Sequence, residues 1–317
     1  MGGGRARASL SSGHPLEYVL FVQENRRPFG NVLVGTDFSD GATRAVERAA
    51  HLPISLGSGL TILHVMSDAL DHARANRMEA EATSRLETLR GGGTAATWPA
   101  GLEVGTLVQL GKPWIEIVRT GRHGKHELIV LGRHGERTFR ELLLGSTVER
   151  VIRKGDVSVL VVGSDPHVPY RRPLVAIDFS DSSKLALELA LGVSDPSVAM
   201  IDVVHVRWLP STSFVPGGKF IPPPDAARDD ETRATMEQFV TEVAPRARWN
   251  LMLGGGDPRR AILDAAAERT SDFIALGTHG RAGLAHALLG SVAEGVLRAA
   301  RCDVLVARLP WTDFRLP

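Results

Sequence analysis

The feature that most constrains this chain is a long internal repeat. Residues 31–40, NVLVGTDFSD, return 141 positions later as RPLVAIDFSD at 172–181. Residues 62–65, ILHV, return at the same offset as VVHV, whereas residues 129–135, IVLGRHG, return 145 positions later as IALGTHG. The two halves stay in register apart from one short insertion, which indicates that one fold occurs twice in the chain.

Each half alternates short apolar segments with longer amphipathic ones, which favours an α/β fold. We predict strands at 31–36, 59–66, 102–109, 127–132 and 157–162, with helices at 40–55, 72–90, 112–123 and 144–154. The second half repeats the strands at 173–178, 198–206, 247–253, 272–277 and 303–308. Short runs rich in Val, Ile and Leu are typical of buried parallel strands. The chain is therefore predicted to form two tandem Rossmann-like domains, each a parallel sheet with helices on both faces.

Domain boundaries follow from the repeat and from local composition. We predict a flexible N-terminal leader at 1–29, a first domain at 30–163, a linker at 164–171, a second domain at 172–309 and a C-terminal tail at 310–317. The leader lacks the apolar core of a signal peptide, and the linker is polar and contains proline. A Pro- and Gly-rich insertion at 211–224 is expected to form an irregular loop.

Charge and cysteine content argue against several classes of function. The chain has 37 basic and 36 acidic residues and a net charge of +1, so no long-range attraction draws it to nucleic acid or to an anionic membrane. No run approaches the about 20 apolar residues of a membrane span. The single cysteine, Cys302, cannot form an internal disulfide and is interpreted as a packed thiol. We expect a cytoplasmic protein without nucleic-acid or membrane partners.

A spaced set of glycines after the fourth strand carries the functional information. In the first half, Gly132-x2-Gly135 is followed by nine residues and then by Gly145-Ser146. In the second half, Gly277-x2-Gly280 is followed by nine residues and then by Gly290-Ser291. Both patterns follow an apolar strand and open an amphipathic helix. A second match at the equivalent place of a repeated fold makes coincidence a poor explanation.

The glycine pattern predicts a phosphate site. Glycine permits a positive φ and a close approach of the backbone to a ligand, and a helix N-terminus holds anions with its unpaired N–H groups. Ser146, Thr147 and Ser291 add hydroxyl donors at these termini. Asp37 and Asp178 lie at the carboxyl ends of the first strands, where open parallel sheets bind ligands. Their carboxylates could accept from ribose hydroxyls or hold a phosphate-bound Mg²⁺.

The strand endings TDFS at 36–39 and IDFS at 177–180, together with the two glycine patterns, resemble the ATP-binding branch of the universal stress protein family. The resemblance implies an adenine nucleotide α-hydrolase-like fold, a five-stranded sheet of order 3-2-1-4-5 in each half. It also implies adenine held by backbone groups at Val65 and Val206. Ribose and phosphates would meet residues of both motifs: Asp37, Gly132, Gly135, Gly145 and Ser146, and Asp178, Gly277, Gly280, Gly290 and Ser291. Beside the resemblance, their positions next to these residues make Arg133, Thr147 and Thr278 further candidates for nucleotide binding. The implied ligand is ATP, with AMP or ADP left open and Mg²⁺ as companion, and the implied assembly is a pseudo-dimer of the two halves that could pair again as a homodimer.

Several residues keep a second interpretation. The glycines could serve only the close packing of strands and helices. Arg133 could reach a phosphate or the facing domain, whereas Thr278 supplies no charge, so the halves need not bind equally well. His64 and His205 could be packed or could adjoin the ribose.

The function also has alternatives. A nucleotide-binding stress or regulatory protein, with slow hydrolysis or none, is the principal hypothesis, because no G-x4-GK-[ST] loop is present. An adenine-nucleotide-using enzyme of the same fold would carry a different loop after the first strand, where this chain has DFSD at 37–40. An interaction or dimerisation module with one or both pockets unused is the third hypothesis.

Overall fold

A computed structural model of the chain describes residues 29–55, 57–68, 72–92, 98–133, 144–195, 200–207, 226–245, 247–278 and 289–310. The first half contains β1 (Val32–Thr36), α1 (Asp40–Ala50), β2 (Gly59–Met66), α2 (His72–Arg90), β3 (Glu103–Leu110), α3 (Pro113–His123), β4 (Leu128–Gly132), α4 (Ser146–Lys154) and β5 (Ser158–Val162). The second half contains β6 (Pro173–Ile177), α5 (Asp181–Val193), β7 (Ile201–Arg207), α6 (Ala226–Val243), β8 (Trp249–Gly255), α7 (Pro258–Glu268), β9 (Phe273–Gly277), α8 (Ser291–Ala299) and β10 (Asp303–Ala307). The predicted α/β class is confirmed.

All ten strands form one sheet in the order β3-β2-β1-β4-β5-β10-β9-β6-β7-β8. Each half therefore has the order 3-2-1-4-5 within itself, with parallel neighbours throughout. The halves meet where β5 pairs with β10 in antiparallel fashion, with Leu160 opposite Leu305. This single reversal makes the strands of the two halves run in opposite directions, so their carboxyl ends lie at opposite edges of the sheet.

The composition of the elements explains the layering. Strands β1, β5 and β10 are buried along their whole length, as expected for strands covered on both faces. On one face, α1, α2, α5 and α6 pack into one apolar cluster. On the other face, α3, α4, α7 and α8 pack into a second cluster. The insertion predicted at 211–224 lies outside the described residues.

One helix prediction was too long. Helix α1 ends at Ala50 and not at residue 55, and His51 donates its N–H to the Ala49 and Arg48 carbonyls at the C-cap. Pro53 lies two residues after that cap, and the residue before a proline is disfavoured in helical conformation. Local signals mark the starts of two helices: Ser39 caps α1 by accepting from the N–H of Ala42, and Pro113 occupies the first turn of α3.

A buried network of charged and polar groups holds the segment between the halves in place. Asp303 is fully buried and accepts hydrogen bonds from the N–H groups of Gly163 and Ser164, each at 2.8 Å, and from the Tyr170 hydroxyl. The Arg48 guanidinium, 2% exposed, lies 3.5 Å from the same carboxylate and 4.1 Å from the centre of the Tyr170 ring. Burial first, and then the Asp303 charge, raise the pKa of Tyr170 well above its ordinary value. The phenol thus stays neutral and donates.

A second set of ion pairs joins the halves on the other face. Glu149 of α4 meets Arg298 of α8 at 3.1 Å, and Arg153 meets Glu294 at 3.7 Å. Glu149 is equivalent to Glu294 in the repeat, and Arg153 is equivalent to Arg298, each 145 residues apart. The same two positions of each half therefore face each other across the junction. None of the helices in the described part of the chain is both long and apolar enough to cross a bilayer.

Candidate functional site

The topology brings the ends of β1 and β4 together. These strands are neighbours, with Gly35 opposite Leu131, yet the helices that follow them lie on opposite faces, α1 on one and α4 on the other. The crevice between such strands is the switch point at which open α/β sheets bind ligands. The second half has the same arrangement at β6 and β9, where Ala176 lies opposite Leu276.

A carboxylate lies at this edge in each half: Asp37 is exposed, and Asp178 is half-buried. The Oδ1 atom of Asp37 accepts from the Ser39 N–H at 3.1 Å and from its hydroxyl at 2.5 Å. The Oδ1 atom of Asp178 accepts from the N–H and hydroxyl of Ser180 at the same two distances. Each serine in turn caps the following helix. Each aspartate, the predicted acceptor for ribose hydroxyls, is therefore hydrogen-bonded to the N-cap of a helix and lies at the carboxyl edge of the sheet.

The residue after each aspartate adopts an unusual backbone conformation. Phe38 has φ 63° and Phe179 has φ 64°, a left-handed region that a bulky side chain rarely occupies. The His64 ring lies 4.4 Å from the Phe38 ring, and the His205 ring lies 4.6 Å from the Phe179 ring. The Nδ1 atom of each histidine lies 2.9 Å from the carbonyl of the last residue of β1 or β6. The histidines are thus packed beneath the turn, one of the two interpretations left open above.

The helix that would face a phosphate begins at an exposed serine. Helix α4 starts at Ser146 with Gly145 as its N-cap, and α8 starts at Ser291 with Gly290 as its N-cap. Both serines are exposed, whereas Thr147 is half-buried. The first N–H groups of a helix have no partner within the helix, so each terminus can accept an anion.

Gly132 and Gly277 have a packing role, which is the second interpretation given for the glycines from the sequence. Gly145 and Gly290 have φ near −60°, and neither Gly132 nor Gly277 is among the described glycines with positive φ. A Cβ on Gly132 would collide with the Gly41 backbone in α1, and one on Gly277 would come within 2.5 Å of the Ser182 side chain. What these positions require is the absence of a side chain, because strand and helix backbones approach closely there.

The side chain of Arg133 contacts the second half of the chain. Its side chain is only 8% exposed, and its guanidinium donates to the carbonyl oxygens of Ala300 at 2.5 Å and Cys302 at 3.2 Å in the second half. Burial lowers its pKa, and the nearby Asp303 charge opposes that effect. The structure therefore shows the second of the two predicted roles, a contact with the facing domain.

Thr278, at the equivalent position, is also buried. It is 1% exposed, so its side chain faces the interior, while its carbonyl accepts from the N–H of Gly290 at 2.8 Å. The carbonyl of Arg133 accepts from the N–H of Gly145 at 2.9 Å. In both halves, then, the residue after the fourth strand serves the site through its backbone, which joins that strand to the N-cap of the next helix.

The two valines predicted near adenine lie on the face of the sheet that carries α4 and α8. Val65 and Val206 are half-buried against the second apolar cluster. The β1 ladder ends at the pair Thr36–His64, while Val65 still pairs with Gln109 of β3. Val65 thus extends past the end of β1, where its backbone borders the crevice.

Two of the predicted glycines, Gly135 and Gly280, lie outside the described residues. Among the residues that the structure describes, no three His, Cys, Asp or Glu side chains are grouped as a metal site. A shallow concavity of about 530 Å³ lies elsewhere, along Asn76, Glu79, Ala80, Thr83 and Ser84 of α2, and consists of one exposed helix surface.

Comparison with known proteins decides the family. The model of the universal stress protein family matches residues 28–163 and again residues 169–308. The chain belongs to the universal stress protein family. The family is represented here by two copies in tandem, in agreement with the repeat.

Two mycobacterial relatives and one solved structure illustrate the universal stress protein match. Universal stress protein Rv2005c of Mycobacterium tuberculosis is 31% identical over 188 residues, which are 57% of this chain and 62% of that protein, so the match spans less than two thirds of that relative. A universal stress protein of Mycolicibacterium smegmatis is 24% identical and covers 87% of this chain and 96% of its own. The crystal structure of a universal stress protein from Archaeoglobus fulgidus has a TM-score of 0.68 at 23% identity and covers 88% of this chain and 98% of its own, which shows the fold alone.

Sequence reasoning missed the left-handed phenylalanines and the partners of the two histidines. A usable signal was present in the repeat, because Phe38 and Phe179, and His64 and His205, recur at the same offset of 141 residues. Their pairing could not be read from the sequence, since it depends on which face of β2 and β7 each side chain occupies.

Proposed function

We propose that the chain is a regulatory protein of the stress response that binds an adenine nucleotide, ATP in the first instance, at the carboxyl edge of each half. The observation that carries this proposal occurs in both halves: an aspartate follows the first strand, exposed as Asp37 and half-buried as Asp178, and an exposed serine lies at the N-terminus of the helix that follows the fourth strand. The two elements border one crevice in each half.

The proposed contacts divide by chemistry. The carboxylates of Asp37 and Asp178 accept from the ribose hydroxyls, and they are the groups that would hold a nucleotide-bound Mg²⁺. The backbones at Val65 and Val206 border the adenine. The phosphates meet the glycine-lined turn and the helix terminus: Gly132, Gly145, Ser146 and Thr147 in the first half, and Gly277, Gly290 and Ser291 in the second, with Gly135 and Gly280 retained as predictions.

Assembly and boundaries are proposed with this function. The two halves act as an intramolecular pseudo-dimer through the β5–β10 junction, and a homodimer of the whole chain is a further proposal. We retain domain limits of 30–163 and 172–309, a linker at 164–171 and a cytoplasmic location. ATP is held or hydrolysed slowly, and the signal is the change in domain or partner contacts.

A charge placed at each helix N-terminus tests the proposal. Glutamate at Ser146 or Ser291 is favourable to the helix dipole but repels a phosphate by several kcal/mol at contact distance, about 4 kcal/mol at an effective dielectric constant of 20. In Ser146→Glu we expect the ATP affinity of the first half to fall at least about tenfold with no loss of thermal stability. Calorimetric stoichiometry should change from two nucleotides per chain to one, and the double variant Ser146→Glu/Ser291→Glu should bind none.

The control introduces the same charge away from both sites, as Thr83→Glu on the exposed face of α2, and should bind two nucleotides. Binding of two nucleotides by the double variant would refute the assignment of the phosphate site. No ATP binding by the unaltered protein would instead favour the second candidate function, an interaction module with unused pockets. That candidate has its own support, because Gly132 and Gly277 have a packing role that requires no ligand.

A further inference from the structure

The same strained turn occurs in both halves. Phe38 and Phe179 hold nearly the same positive φ within the same DFSD sequence. A non-glycine residue in such a conformation is strained and persists only when its surroundings hold it there. Strain of this kind is concentrated at functional sites, and here it directly follows the carboxylate proposed to meet ribose.

A histidine holds each turn from the face opposite the proposed nucleotide site. Side chains alternate along β2, so that Ile62 and His64 lie on the α2 face while Leu63 and Val65 lie on the α4 face. A carbonyl oxygen only accepts, so the Nδ1 atom of His64 is the donor in its 2.9 Å hydrogen bond to Thr36. The Thr36 carbonyl belongs to the peptide unit that joins Thr36 to Asp37. One imidazole therefore anchors the residue before the carboxylate and packs on the residue after it.

The second half repeats the contact with one difference. His205 donates to the Ile177 carbonyl at 2.9 Å and packs against Phe179. In the first half the Thr36 hydroxyl also accepts from the Phe38 N–H at 3.0 Å, whereas Ile177 has no hydroxyl.

We propose that His64 and His205 are positioning residues that hold the strained Asp-Phe-Ser turns so that Asp37 and Asp178 face the ribose hydroxyls of a bound nucleotide. This inference rests on the proposed function. The histidines do not touch the nucleotide; they act through the orientation of the aspartates. Their effect falls on the recognition of the ribose hydroxyls and leaves phosphate binding in place.

The test compares ATP with 2′,3′-dideoxy-ATP, which lacks the hydroxyls that the carboxylate would bind. The full chain is titrated calorimetrically with site two blocked by Ser291→Glu, and separately with site one blocked by Ser146→Glu. A hydrogen bond to a charged acceptor makes us expect the parent sites to prefer ATP by about tenfold or more. His64→Ala at site one and His205→Ala at site two should each reduce this ratio to below about threefold, with little change in the affinity for the dideoxy analogue.

Three further variants separate positioning from simple loss of structure. Asp37→Asn should abolish the same ratio, and His64→Ala should add nothing to it, because both act on one contact. His64→Asn, whose amide can still donate to the Thr36 carbonyl, should recover part of the ratio. His126→Ala removes a half-buried histidine that lies near the Thr120 and Gly121 carbonyls and should leave the ratio unchanged.

The outcomes are distinct. A preference for ATP that survives in both His64→Ala and His205→Ala overturns the inference while the proposed function stands. An equal loss of affinity for ATP and its dideoxy analogue also overturns it, since that is the result of general damage to the pocket. Failure of both parent sites to bind ATP refutes the proposed function itself.

Discussion

Arg133 lies directly after the first glycine of the motif, but its charge is used at the contact between the halves. The guanidinium donates to two carbonyl groups at the end of α8 and the start of β10, and it is nearly inaccessible to solvent. Its backbone meanwhile accepts from Gly145, the N-cap of α4. One residue thus connects the proposed phosphate helix of the first half to the body of the second.

We predict that Arg133→Met weakens the protein more than it weakens nucleotide binding. Two carbonyl groups lose their donor, so the free energy of unfolding should fall by about 1–3 kcal/mol, while the ATP affinity of the first site changes by less than about threefold. Chemical denaturation and calorimetry measure the two effects. Arg260→Met, at an arginine that is 86% exposed, is the control and should alter neither. A tenfold loss of ATP affinity with unchanged stability would show that Arg133 does contact a phosphate.

At the scale of elements, the approach of β4 to α1 and of β9 to α5 decides the geometry of each crevice. Gly132 contacts the first turn of α1, and Gly277 contacts the first turn of α5. The same helix turns carry the serine caps that hold Asp37 and Asp178. The absence of a side chain at Gly132 and Gly277 therefore determines how close the carboxylate lies to the end of the fourth strand.

Gly132→Ala tests this packing directly. The added methyl group collides with the Gly41 backbone, so α1 must move, and we expect a loss of about 1–3 kcal/mol of unfolding free energy. Gly59→Ala in β2 is the matched control, because the nearest atom to its Cβ is 3.5 Å away. The urea midpoint should fall for the first variant and hold or rise for the second. Equal midpoints would mean that β4 and α1 have room between them.

The elements themselves could be predicted because their signals are local. Apolar runs located the strands of both halves to within a few residues, and the repeat located the second set from the first. The left-handed Phe38 could not be predicted, since its neighbours in sequence do not show that His64 lies beneath it. The two roles of the glycines could not be separated for a similar reason: a sequence indicates that a side chain is missing, but not whether a ligand or another backbone occupies the space.

At the scale of the whole molecule, an unrepeated network holds the halves together. Arg48 belongs to α1, Tyr170 to the connecting segment and Asp303 to β10. The positions equivalent to Arg48 and Asp303 in the other half are Leu189 and Ser158, so the repeat that revealed the fold concealed this contact. Residues so distant in sequence carry no pattern that could have joined them.

Asp303→Ala should lower the free energy of unfolding by weakening the contact between the halves. The substitution leaves the Arg48 guanidinium buried without its carboxylate, and breaking one partner of a buried ion pair costs about 3–5 kcal/mol. Asp264→Ala removes an exposed partner of Arg260 and should cost less than about 1 kcal/mol. Thermal unfolding followed by circular dichroism compares the two. A similar small shift for both would show that the connecting segment is held by its apolar contacts alone.

The antiparallel pairing of β5 with β10 has a consequence for how a partner protein could recognise the bound state. The crevices open on opposite rims of one continuous sheet, roughly back to back. A binding protein docked on one rim senses the filling of a single crevice, and no short two-headed ligand spans both. Any response that requires the two to be filled together must therefore be conveyed through the body of the molecule, or be detected by receptors on two sides at once.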